Sequence, residues 1–211
     1  MSRALVVPIF PLPGAILFPR AQLPLHIFEP RYRDMVRDAL DGLGRLAMIQ
    51  PHRLDDDNKA PLYAAGCIGD IVSVEELDDG RCNIVLHGTN RFRLVRERET
   101  EASYRCAEVD IAAFDDSDPL PLSLGQRAEV EREARRLGEA LGLAVDWNAV
   151  GRLDDEMLVN AIAQVGPFDV GAKQALLEQP DLDGRADLLV QLMQFHRAAV
   201  SGGAEAEPTL Q

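Results

Sequence analysis

Four histidines, His26, His52, His87 and His196, and three cysteines, Cys67, Cys82 and Cys106, are the side chains with which this chain could do nucleophilic, acid–base or metal chemistry. Their spacing argues against it. There is no His-x-x-x-His pair, no Cys-x-x-Cys pair and no Gly-x-Ser-x-Gly elbow, the patterns that bring two ligands, a dithiol or an activated serine together. Cys82 and His87 stand five apart on an expected strand, so they face opposite sides of it. A buried packing thiol is the reading preferred for each cysteine. Asp55-Asp56-Asp57-Asn58 hints at calcium but lacks the glycine and distal glutamate of an EF-hand loop, which leaves a solvated loop. Gly42-Leu43-Gly44-Arg45-Leu46-Ala47 matches a dinucleotide fingerprint in letters only, because that motif needs a strand before it and a helix after it. The expected order is the reverse. No metal and no cofactor is expected.

Arg31, Arg33, Arg91 and Arg93 raise a different chemistry, the contacting of phosphate. The 211-residue chain has a formal charge of -13 and a pI near 4.7, which opposes binding to a nucleic-acid backbone or an anionic membrane. Local pairing of these arginines with Glu29, Asp34 or Asp70 is the preferred reading. RNA binding and an uncharacterised hydrolase with a site between two halves are kept as alternatives. No apolar run reaches the length of a membrane span, and Pro8, Pro11 and Pro13 interrupt any signal-peptide core. Reduced, unpaired thiols fit a cytoplasmic protein.

The elements that must position these residues begin with Phe10 to Val36, where prolines punctuate an apolar run. Leu5 to Phe10, Ile16 to Phe18 and Leu23 to Phe28 read as short strands bent and ended by Pro and Gly. A helix then starts at Pro30, with Tyr32, Met35, Val36, Ala39 and Leu40 on one face. Leu46 to Gln50 predicts a strand. Ile68 to Leu77 and Cys82 to His87 predict a hairpin across Asp78-Asp79-Gly80, with a bulge at Gly88. Tyr104 to Phe114 supplies one more strand. An acidic, proline-containing linker runs from Asp115 to Pro121, and everything beyond it reads as helix. Val130, Ala134, Leu137 and Leu141 make one stripe; Leu158, Ala161, Ile162 and Val165 make a second, capped by Asp154 or Asp155. Asp169 caps a short third helix and Asp183 begins a fourth. The expected organisation is a β-rich unit over 1–116, a helical bundle over 122–200 and a disordered tail over 201–211.

Phe10-Pro11-Leu12-Pro13-Gly14, Leu17-Phe18-Pro19, Pro24-Leu25-His26-Ile27-Phe28-Glu29-Pro30-Arg31-Tyr32 and Gly88-Thr89-Asn90-Arg91-Phe92-Arg93 resemble the N-terminal domain of Lon proteases. The likeness is greater still to free-standing bacterial members of that domain family, and cereblon contains a relative. It runs from about Leu5 to His196. The resemblance implies an α+β fold: a PUA-like, bent antiparallel β pseudo-barrel with one helix, followed by a C-terminal α-helical bundle. It also implies engagement of unfolded or extended polypeptide, as adaptor or holder of clients for a protease or chaperone. The sequence contains no Gly-x-x-x-x-Gly-Lys-Ser/Thr loop, and neither Lys59 nor Lys173 sits in a segment resembling the Ser–Lys peptidase dyad. The chain is therefore expected to be non-enzymatic.

Within that reading, the turn around Leu12, Ile16 and Phe18, bordered by Arg31, is the candidate peptide-binding surface. A strand cannot bury Ile16, Leu17 and Phe18 on a single face, so some of this apolar surface must meet another layer, another subunit or a ligand.

Overall fold

The computed structural model describes residues 4–53 and 60–203, and side chains as far as residue 200. The Asp55–Asn58 loop and residues 204–211 of the expected tail lie outside the described residues. The strands are β1 (Ala4–Pro11), β2 (Gln22–Ile27), β3 (Arg45–Pro51), β4 (Leu62–Glu76), β5 (Cys82–Arg98) and β6 (Cys106–Asp110), with α1 (Pro30–Asp41) between β2 and β3. Five helices follow: α2 (Leu124–Ala140), α3 (Trp147–Val150), α4 (Asp155–Val165), α5 (Val170–Glu178) and α6 (Leu182–Gly203).

The strands form one sheet in the order β2-β5-β4-β3-β1-β6, and a further β5–β6 pairing closes five of them into a barrel. Every pairing is antiparallel except β1 with β3. Closure is possible because β4 and β5 are long and change register between Cys67 and Gly69 and again between Ile71 and Ser73, and such irregularities bend a strand. Gly88 lies in the first of these bends. A Cβ there would overlap the carbonyl of Phe18, so only glycine lets the loop after β1 lie so close to β5. Pro24 sits on β2, which has a partner on one side only among the described residues, and there a missing N–H breaks no inner ladder.

The helix starts follow from capping chemistry. Ser123 and Gln126 form a reciprocal capping box on α2, and Asp154 and Asp169 accept the N–H groups of Met157 and Ala172. Helix α6 begins earlier than expected, at Leu182, because Asp181 rather than Asp183 accepts the Gly184 N–H at 2.8 Å. Its last turn takes in residues 201–203, the first part of the expected tail. The four-residue α3 is too short to show a helical period and was not anticipated.

The expected strand over Ile16 to Phe18 does not form. All three side chains are buried, Phe18 completely, and the segment is an irregular loop. Its carbonyls are satisfied from the helical half: Lys173 Nζ donates to Gly14 O at 3.0 Å, Gln164 Nε2 to Ile16 O at 3.0 Å and Asn160 Nδ2 to Pro19 O at 3.4 Å. The prolines deny this stretch a strand ladder, and long polar side chains replace it. The other layer that the three consecutive apolar residues require is therefore the helical bundle. One continuous hydrophobic cluster runs from Phe10 and Phe18 through Leu158 and Leu176 to Leu189 and Met193, while a second fills the barrel around Ile9, Ile68 and Phe92.

Candidate functional site

The helical half carries an open apolar groove of about 180 Å³. Helix α2 contributes Leu137 and Leu141, α3 contributes Trp147 and Val150, and α4 contributes Ile162 and Val165, with Met193 of α6 also lining it. Gly138 lets the Trp147 ring approach α2, since an added Cβ would stand 3.2 Å from it. The guanidinium of Arg135 lies 4.7 Å from the indole centroid and holds the ring by cation–π attraction. Val165, expected on the buried face of α4, is 84% exposed, and Leu143 is 58% exposed. Leu40, likewise expected inward on α1, is exposed. The lip of the groove is therefore apolar and wet, which is unusual unless something covers it.

A second, polar opening lies where the barrel meets the helices, as two clefts of about 230 and 360 Å³ that share Pro19, Arg20 and Glu156. Arg20 spans it. Its guanidinium grips Glu156 at 2.5 and 2.8 Å and the carbonyl of Asp116 at 2.9 Å. Pairing with Glu156 raises the Arg20 pKa above its ordinary value despite partial burial. Arg20 pays for this reach with a left-handed backbone, φ 61°, a conformation costing an L-residue on the order of 1–2 kcal/mol. Behind it, Arg91 is almost fully buried and binds Asp116 through its Nε at 2.7 Å and its backbone N–H at 2.5 Å. The same guanidinium donates to the carbonyls of Leu177, Gln179 and Pro180 at the end of α5. Arg185 donates to Leu176 O and Asn160 Oδ1. Burial, reinforced by the charge of Arg91, lowers its pKa to about 10, which leaves it cationic at neutral pH.

These contacts correct the expected surface pairing of Arg91. It is an internal clamp, and the Asp115–Pro121 segment is not a free linker, because Asp116 is held inside it and the Leu122 N–H is bound to Asp155 at 2.8 Å. The expected turn site is corrected as well. Ile16 and Phe18 are core residues and offer no surface; Leu12 is half-buried, with its N–H on Ile49 O at 3.2 Å. Arg31 is half-buried, 2.7 Å from Glu29 and stacked 4.7 Å from the Tyr32 centroid. The four residues do not assemble into an open apolar turn.

Comparison with known proteins adds the family. The sequence model of the ATP-dependent protease La (LON) substrate-binding domain matches residues 6–194. The chain belongs to that family. Lon protease 2 of Sorangium cellulosum is 29% identical over 205 residues, a match covering 89% of this chain and 24% of that protein. Lon protease 2 of Myxococcus xanthus is 28% identical over 200 residues, covering 91% and 24%. This LON domain thus spans about a quarter of the length of the relatives it matches. The N-terminal domain of a Mycobacterium avium complex Lon protease superposes with a TM-score of 0.63 at 20% identity, covering 91% of this chain and 100% of that one. A Lon N-terminal domain protein from Xanthomonas campestris gives 0.65 at 23%, covering 89% and 98%. The shared fold is α+β, as expected.

The surface of this LON domain offers two kinds of chemistry. The groove is lined almost entirely by apolar side chains. In the polar clefts, Glu156 and Asp116 are already neutralised by arginine, and Ser117 has no histidine among the residues lining its cleft. Among the described residues, no group of three or more His, Cys, Asp or Glu is placed to hold a metal ion, and no helix is long and apolar enough to cross a membrane. Sequence reasoning missed the groove. The stripes of α2 and α4 account for Leu137, Leu141, Ile162 and Val165, and the available signal was Leu143 and Trp147, apolar residues outside any stripe between α2 and α4.

Proposed function

We propose that this LON substrate-binding domain is a non-enzymatic, polypeptide-binding module, and that it grips apolar side chains of unfolded or extended clients in the groove between α2, α3 and α4. One observation carries the reading: a concave, almost wholly apolar surface with an exposed aliphatic lip, Leu143 and Val165, on a strongly acidic molecule. A groove of this size accepts many sequences at modest affinity, as a holder of clients, or an adaptor passing them to a protease or chaperone, requires. Leu12 and Arg31 can contribute only at the margin of such binding, since both are already engaged.

The test is titration of a fluorescently labelled polypeptide, kept unfolded by reduction and alkylation, into wild type and Val165→Asp. Val165 is exposed, so folding is preserved. Burying a carboxylate against a client leucine forfeits the 1.5–3 kcal/mol of that contact, so affinity is expected to fall about tenfold or more. Equal affinities would move the site away from the groove.

A further inference from the structure

Away from the groove, two leucines stand in water where none is needed for folding. Leu120 and Leu124 are 84% and 88% exposed, the two largest values among the exposed large apolar residues of described placement, together with Val165. Leu120 follows Pro119 and precedes Pro121; Leu124 is the first residue of α2. Leu120 lines the polar cleft beside Asp115, Asp181 and Asp183. The first turn of α2 is tied to α6 by Gln126 Nε2 donating to Asp187 Oδ1 at 3.4 Å.

The charge around them is one-sided. Asp115, Asp118, Asp181, Asp183 and Asp187 are all exposed, and none of them takes part in a salt bridge among the described residues. The cations lining the same cleft are spent: Arg20 on Glu156, Arg91 on Asp116, and Arg185 inside the core on Asn160 and Leu176. Asp181 and Asp183 gain some relief from the positive end of α6. Leu120 thus stands in a cleft lined by Asp115, Asp181 and Asp183, and Leu124 lies four residues further along the chain.

We propose that this face, made by Leu120, Leu124 and the N-terminal ends of α2 and α6, is a docking surface for a basic polypeptide segment that interleaves arginine or lysine with aliphatic residues. The leucines supply apolar contact, and the carboxylates select and steer the cationic partner. A second copy of this chain is disfavoured, because it would bring the same carboxylates face to face. Nucleic acid and anionic lipid are disfavoured by the same sign of charge. The proposal does not rest on the apolar groove, whose lining contains no acidic residue.

The experiment uses the full chain and a labelled short peptide alternating leucine with arginine, with a second peptide carrying glutamate in place of arginine. Fluorescence anisotropy should show tighter binding of the first than of the second. The Leu120→Ala/Leu124→Ala variant should weaken binding about tenfold, and Asp183→Asn/Asp187→Asn should weaken it further as the charge attraction is removed. Raising salt from about 0.1 M to about 1 M, which cuts the screening length from about 10 Å to about 3 Å, should weaken it in wild type. The same titrations in Val165→Asp, whose groove no longer favours a leucine, should keep the preference for the arginine peptide, which separates this surface from the groove. Equal binding of the two peptides to Val165→Asp, indifference of that variant to both further double substitutions, or complete loss of arginine-peptide binding in it would each overturn the proposal. So would sedimentation as a dimer that the leucine variant dissociates, since the face would then be covered by a second copy.

Discussion

Phe18 lies in a proline-flanked loop and is nevertheless fully buried, with the Arg185 guanidinium 4.9 Å from its ring centroid. Its neighbours come from both halves of the molecule, so the ring acts as a pin between them. Truncation creates a cavity that neither half can collapse into without moving the other. Phe18→Ala is therefore expected to cost about 3–5 kcal/mol of stability, the range for a buried phenylalanine, read as a lower urea midpoint. Arg31→Ala, which removes a half-exposed pair with Glu29, should cost no more than about 1 kcal/mol. A near-normal midpoint for Phe18→Ala would show that the loop is not packed as described.

At the scale of elements, the junction between β5, the Asp115–Pro121 segment and the end of α5 depends on Arg91. No other described side chain reaches Asp116 and the carbonyls of Leu177, Gln179 and Pro180 together. Removing it leaves a buried carboxylate without a cation. Arg91→Ala should destabilise the protein by about 3–5 kcal/mol. The segment should also change its susceptibility to proteases: resistant in wild type despite its acidic, proline-rich composition, and cut early in Arg91→Ala. Equal cutting in the two proteins would mean that the clamp does not hold the segment. Asp116→Asn should also destabilise, since an amide replaces only one of the two accepting oxygens and leaves the buried guanidinium without its counter-charge.

At the scale of the whole molecule, the halves share one apolar cluster and exchange hydrogen bonds through Lys173, Gln164, Asn160 and Gln174. Such sharing makes separate unfolding costly, because either half alone would expose its part of the cluster. Trp147, the single tryptophan of the sequence, reports the helical half. Far-UV circular dichroism is dominated by both. The two signals are expected to give coincident denaturant transitions; a tryptophan transition that precedes the other would show independent halves. The groove and the leucine–aspartate face lie on the helical side of this shared core, so both surfaces ride on a base anchored to the barrel.

What the sequence by itself determined was local. Period located α1, α2, α4 and α5, and Pro30, Asp154 and Asp169 marked the starts of three of them, since each acts on groups within a turn of itself. Alternation and Asp78-Asp79-Gly80, with Gly80 at φ 78°, located the β4–β5 hairpin for the same reason. The motifs around Phe10, Phe28 and Arg91 were specific enough to indicate the family. Only the tertiary structure decided which apolar residues are surface. Phe18 and Val165 are both apolar residues beside a Pro or Gly turn, yet one is fully buried and the other 84% exposed. Burial depends on what packs from elsewhere in the chain, and Lys173, Gln164 and Arg185 lie far from Phe18 in sequence. The fate of Arg91 was hidden for the same reason. Its partners at Asp116 and Leu177 are 25 and 86 residues away, beyond the reach of any periodicity, and only closure of the bundle onto the barrel brings them together.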